Sequence, residues 1–143
     1  MEVRSLNHSV YYHQYHIVWG TKYRRQYIQE YVKKAFEMYV KRVISKYPTI
    51  QLTKVNADID HVHLQLSIPP NIAVSRVVQK IKQETSKLLK KRFKFIREIY
   101  SFEGIWSVGY FSSTIGLNEE TVKRYIDNQG KKDKGRQYKL WLP

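Results

Sequence analysis

The chain has 143 residues, 42% of them hydrophobic, enough for the core of one domain and too many for a disordered chain. It has no cysteine, which excludes a disulfide scaffold, a thiolate zinc site and a cysteine nucleophile. Lys and Arg number 26 against 12 Asp and Glu, a formal net charge of +14 that suits a polyanionic partner, most simply nucleic acid.

Met1 to Val10 has no apolar core of a signal peptide, and no apolar run approaches the roughly 18 residues of a membrane span. The expectation is a single cytoplasmic domain over residues 1–143. Its stretch 130–143 is basic and starts with loose composition, Gly-Lys-Lys-Asp-Lys-Gly-Arg-Gln, which predicts a flexible tail.

Val10 to Trp19 is rich in aromatic and β-branched residues and predicts a first strand, ended by Gly20. A basic connection with Lys22, Arg24 and Arg25 follows. From Ile28 to Tyr47 the apolar residues recur with helical period, and Pro48 stops the helix. Ile50–Ala57 and His61–Ile68 read as two strands joined by a turn at Asp58-Ile59-Asp60. The second of them alternates strictly: Val62, Leu64, Leu66 and Ile68 share one face, and His61, His63, Gln65 and Ser67 the other.

A second helix spans about Ile72 to Lys91, with an apolar stripe opposed by Arg76, Lys80, Lys87 and Lys91. Gly104 to Thr114 predicts a fourth strand. A third helix starts after Gly116, with Asn118 as N-cap and Glu119 and Glu120 in its first turn, and is expected to end at Gly130. The order is β-α-β-β-α-β plus one helix. That is the ferredoxin-like, RRM-like α+β arrangement, an antiparallel sheet with both long helices on one face and the other face open. In this topology the first and third strands are central, so His61 and His63 lie in the middle of the open face.

Two histidines at i, i+2 on a strand project side by side and can share a metal ion. Two imidazoles leave a site incomplete, so a further ligand must come from elsewhere and a position must stay open for substrate. Asp58 and Asp60 are near in sequence but have the wrong strand parity. Tyr125 and Gln129 are four residues apart and share a helical face. Taken alone, Tyr125 better suits a mixed stripe with Val122 and Ile126 that packs on the sheet, and Gln129 equally suits a solvated surface; the pair gains weight beside His61 and His63.

These residues resemble the motifs of the single-tyrosine HUH transposases, the TnpA-type enzymes of small bacterial and archaeal insertion sequences. His61-Val62-His63 matches the His-hydrophobic-His motif, and Tyr125-Ile126-Asp127-Asn128-Gln129 matches the tyrosine followed four residues later by glutamine. Tyr15 to Trp19, Thr21 to Arg25 and Gly109-Tyr110-Phe111 also look like the family's sequence, and the resemblance covers about Tyr11 to Gln129.

The resemblance implies a metal-dependent enzyme that cleaves and rejoins single-stranded DNA at insertion-sequence ends. Tyr125 would be the nucleophile, leaving a 5′-phosphotyrosine. His61, His63 and Gln129 would hold Mg²⁺ or Mn²⁺. It further implies DNA partners with subterminal hairpins, and a homodimer whose active sites pair the histidines of one subunit with the tyrosine helix of the other. Lys22, Arg24, Arg25, Arg76, Lys80 and Lys87 are candidates for phosphate contacts.

The same element order and charge would suit a non-catalytic RRM-like module that binds single-stranded nucleic acid. Such modules stack bases on aromatics of the central strands, and His61–Ile68 has none. A two-histidine phosphoesterase needs two His-x-Ser/Thr motifs, which the chain lacks.

Overall fold

A computed structural model describes residues 4–6, 9–11, 14–114 and 119–141. Strands β1 (Arg4–Leu6) and β2 (Ser9–Tyr11) pair with each other as a separate two-stranded sheet. The main sheet comprises β3 (Gln14–Gly20), β4 (Gln51–Ala57), β5 (His61–Ser67) and β6 (Phe111–Ser113), antiparallel in the order β4-β5-β3-β6. Helices α1 (Glu30–Ile44) and α2 (Val74–Arg92) cover one face, α3 (Lys94–Ile99) follows α2, and α4 (Glu119–Trp141) closes the chain. This is the expected α+β arrangement, with β3 and β5 at the centre.

The core follows from the two periodicities. On α1, Val32, Ala35, Phe36, Tyr39, Val40 and Val43 are buried along one stripe, and on α2 the buried set is Val77, Val78, Ile81, Thr85 and Leu89. They meet Ile17 and Trp19 of β3 and Val62, Leu64 and Leu66 of β5. Trp19 lies edge-on to Phe36 and Trp106, with ring centroids 6.3 and 5.9 Å apart. The turn between β4 and β5 closes with the Asp58 amide donating to the His61 carbonyl at 2.8 Å.

Four elements depart from the expectation. The first strand is divided, because Ser9–Tyr11 folds back on Arg4–Leu6, a short loop that costs less closure entropy than a distant pairing. Helix α3 is too short for a periodic signal and is set by the burial of Ile96. The fourth strand shrinks to Phe111–Ser113. Trp106 bridges Thr21, and the chain then leaves the ladder until Phe111, with Gly109 at φ +86°.

Helix α4 is the fourth departure. It does not stop at Gly130 but continues to Trp141, so the stretch expected to be a flexible tail is helical as far as the structure describes it. Gly130 serves close approach instead of termination: a Cβ there would lie 2.6 Å from Cδ of Arg24. The expected N-cap, Asn118, and Gly116 lie outside the described residues.

Candidate active site

The pairing of β3 with β5 places Gly20 opposite His61 and Val18 opposite His63. Directly opposed residues share a face, so these four line the side of the sheet away from α1 and α2. The sequence predicts that this face stays open. Instead α4 lies across it: Ile126 packs on Val18, with Phe111 and Tyr125 around them.

Gly20 is what admits the helix. Its amide donates to Oε1 of Gln129 at 2.7 Å, and a Cβ on Gly20 would stand 3.0 Å from that oxygen and 3.5 Å from Cδ1 of Ile126. Nε2 of Gln129 faces the Tyr125 hydroxyl at 2.7 Å and the carbonyls of Val108 and Gly109 at 3.0 and 3.2 Å. Gln129 is 3% exposed, so its amide is buried in this junction. The structure thus brings Tyr125 and Gln129 over the strand positions that face the histidine pair, within one chain.

The two imidazoles are 4.9 Å apart, centroid to centroid. Burial lowers the His63 pKa from its ordinary 6.5 to about 4, helped by the His61 ring and Lys54 and opposed by Asp58. His63 is therefore neutral at neutral pH, with a lone pair to offer. Nδ1 of His61 lies 2.8 Å from Oδ1 of Asp60, which leaves Nε2 free to coordinate. Strand parity counts against Asp60 as a ligand, and the structure assigns it this supporting contact. Its other oxygen, Oδ2, pairs with Arg24 at 3.1 Å.

Among the described residues no three His, Cys, Asp or Glu side chains gather as a metal cluster. A cation at the histidines therefore needs a ligand of another type. The amide oxygen of Gln129, with a second lone pair beyond the one facing Gly20, is chemically suitable.

The phenol of Tyr125 is held protonated. Burial raises its pKa well above the ordinary value, Asp133 and Tyr110 add to the rise, and the hydrogen bond from Gln129 opposes it.

Further residues fasten α4. Asp133 is 2% exposed; its Oδ2 accepts the Tyr23 amide at 2.9 Å and the Ser107 hydroxyl. Asp127 pairs with Arg24. Tyr23 and Arg24 both sit in the left-handed region, at φ 61° and 55°, which costs roughly 1–3 kcal/mol each. The bond from the Tyr23 amide to Asp133 and the pairs of Arg24 with Asp60 and Asp127 compensate. Asp133 stands four residues beyond Gln129, on the stripe that contains Tyr125. An uninterrupted helical period would have revealed it, but reading Gly130 as a terminus hid it.

The six phosphate-contact candidates separate into two groups. Lys22, Arg24 and Arg25 lie at the β3 end of the site. Lys22 is 3.7 Å from Glu103, Arg24 is committed to two carboxylates, and exposed Arg25 lies over the rings of Tyr23 and Tyr100. Arg76, Lys80 and Lys87 are on α2, the layer behind the sheet, and Lys80 pairs with Glu84 at 3.2 Å. No described helix is long and apolar enough to cross a membrane.

The model of the family described as "Transposase IS200 like" matches residues 9–129. The chain belongs to this family of transposases. It is 30% identical over 141 residues to the transposase for insertion sequence element IS200 of Salmonella typhimurium, covering 98% of this chain and 92% of the relative. It is 25% identical over 134 residues to the ISDra2 transposase TnpA of Deinococcus radiodurans, covering 93% and 95%.

The transposase's fold recurs in a crystal structure of a protein from Deinococcus radiodurans R1, with TM-score 0.76, 22% identity and coverage of 88% and 97%. It also recurs in a REP-associated tyrosine transposase solved bound to a REP hairpin, with TM-score 0.55, 13% identity and coverage of 80% and 62%.

Proposed function

We propose that this transposase cleaves and rejoins single-stranded DNA at insertion-sequence ends, with Tyr125 as nucleophile and His61, His63 and Gln129 as the holders of Mg²⁺ or Mn²⁺. The observation that carries this reading is the register of β3 on β5, which sets His61 and His63 opposite the two residues, Gly20 and Val18, that α4 touches through Gln129 and Ile126.

In the reaction the phenol oxygen forms a bond to phosphorus and the bond from phosphorus to the 3′-oxygen breaks. The phenol proton ends on the released 3′-hydroxyl, and the 5′-phosphate remains on Tyr125. Attack by a 3′-hydroxyl reverses the step. The phosphotyrosine diester conserves the energy of the broken bond, so no nucleotide is hydrolysed. A bound cation would supply Lewis-acid charge at the scissile phosphate.

The chain's own groups do the rest. Gln129 orients the Tyr125 hydroxyl at 2.7 Å, Asp60 orients His61, and burial keeps His63 unprotonated. A phenol with a pKa of about 10 is only about a thousandth ionised at pH 7, and Tyr125 is raised further, so its proton must leave as the bond to phosphorus forms.

The DNA partner in this reading is a single strand with hairpins near the ends. The +14 charge and the hairpin bound by the REP-associated relative support it. The reading includes a homodimer in which α4 makes with the partner's sheet the contacts it makes here with its own.

The test is incubation with hairpin-bearing single-stranded DNA and Mn²⁺ or Mg²⁺, followed by denaturing electrophoresis. A covalent protein–DNA band is expected from the wild type and absent with EDTA or with Tyr125→Phe. A non-catalytic nucleic-acid binder yields no such band under any condition.

A further inference from the structure

Between Trp106 and Phe111 the chain leaves the β3 ladder, and the carbonyls of this strap turn away from strand pairing. Two side chains take them from opposite sides of the sheet. Gln129 of α4 reaches Val108 and Gly109. From α2, Nζ of Lys82 donates to the Ser107 carbonyl at 2.6 Å and to the Gly109 carbonyl at 2.8 Å. The Gly109 oxygen is therefore shared between Lys82 and Gln129. Gly109 itself is close to the phenol, since a Cβ on it would stand 3.7 Å from the Tyr125 hydroxyl.

Lys82 is not an ordinary surface lysine. It is half-buried and lines a groove of about 670 Å³ between α2 and the strap, with its ammonium 6.0 Å from the ring centroid of Trp19. Burial lowers its pKa to about 8, against the opposing charge of Asp133 and with the help of Lys22. A lysine that only solvates the outside of α2 would avoid that cost.

We propose that Lys82 is a positioning residue for strand cleavage: by pinning the Ser107 and Gly109 carbonyls from behind the sheet, it sets Gln129 and through it the Tyr125 hydroxyl. It touches neither DNA nor the reacting atoms. The inference rests on Tyr125 being the nucleophile. It adds that the tyrosine's geometry depends on a cation in the opposite helical layer.

Because the chain has no cysteine, Lys82→Cys creates a unique thiol that 2-bromoethylammonium converts to an aminoethyl thioether, restoring the length and charge of lysine. Wild type, Lys82→Met, Lys82→Cys and aminoethylated Lys82→Cys are compared, each carried through the same denaturation and refolding. The readouts are the single-turnover rate of covalent adduct formation at saturating hairpin DNA, the Kd for that DNA, and hydrogen exchange of the Gln129 side-chain amide by NMR.

The expected result is an adduct rate at least tenfold lower in Lys82→Met and Lys82→Cys, a Kd within twofold of wild type, and Gln129 amide protection reduced at least tenfold. Aminoethylation should return rate and protection to within about threefold of wild type.

An unchanged rate, a loss confined to Kd, a chain that does not fold, or a loss that aminoethylation leaves in place would each overturn the proposal. If wild type forms no adduct, the nucleophile reading falls. The amide exchange still decides separately whether Lys82 sets Gln129.

Discussion

The amide of Gly20 donates to Oε1 of Gln129 at 2.7 Å across 109 residues of sequence. This contact joins the strand opposite His61 to the helix that carries Tyr125. A side chain on Gly20 would crowd it, although Gly20 does not have a positive φ that would itself require glycine. Gly20→Ala therefore tests the junction without backbone strain. The added methyl is expected to displace Gln129, lower the adduct rate at least tenfold and cost about 1 kcal/mol of stability, as modest overpacking does. Single-turnover cleavage beside thermal unfolding checks both, and an unaltered rate would mean that Gln129 need not sit where it does.

Asp60→Asn keeps the shape of the side chain but removes the charge that faces Nδ1 of His61 and Arg24. Loss of a carboxylate partner typically weakens a histidine metal site by about 10- to 100-fold. Mn²⁺ affinity, measured by calorimetry or paramagnetic broadening of the histidine resonances, should fall by that factor, with hairpin DNA binding in EDTA retained. An affinity equal to wild type would remove Asp60 from the site.

His63 makes stability depend on pH. Its pKa is about 4 when folded and about 6.5 when unfolded, so between these values the unfolded chain binds the proton more readily. The stability it contributes is complete above pH 6.5 and is lost as pH falls toward 4. In metal-free protein, NMR titration should place the His63 pKa well below 6.5. Denaturation midpoints should fall between pH 6.5 and 4 more steeply in wild type than in His63→Ala. Equal slopes for the two proteins would contradict the buried neutral imidazole.

Mixing distinguishes a shared site from the placement of α4 on its own sheet. Neither Tyr125→Phe nor His63→Ala homodimers should cleave. If subunits exchange and α4 serves the partner, a heterodimer contains one site with both groups intact, and cleavage should recover in part. Recovery is the expected result under the proposed homodimer. Zero recovery in well-exchanged mixtures would assign Tyr125 to the histidines of its own chain.

Strand alternation over His61–Ser67, the helical stripes of α1 and α2 and the turn at Asp58–Asp60 are local patterns. By themselves they determined the central run of helix, two strands and helix, the α+β class and the face on which both histidines lie. The pairing of Tyr125 with Gln129 was equally legible, because four residues make one helical turn. What lies over that face was decided only by tertiary structure. Strand register and close approach are long-range events, and a glycine carries no local sign of which it serves. Gly130 looks like a helix end, yet it is where α4 passes Arg24. Gly20 looks like a strand end, yet it seats Gln129. Lys82 gains its partners only because the carbonyls of Ser107 and Gly109 leave the ladder, since a peptide group that loses its strand partner must find another, and Asp133 gains its own only because α4 crosses Tyr23 and Ser107.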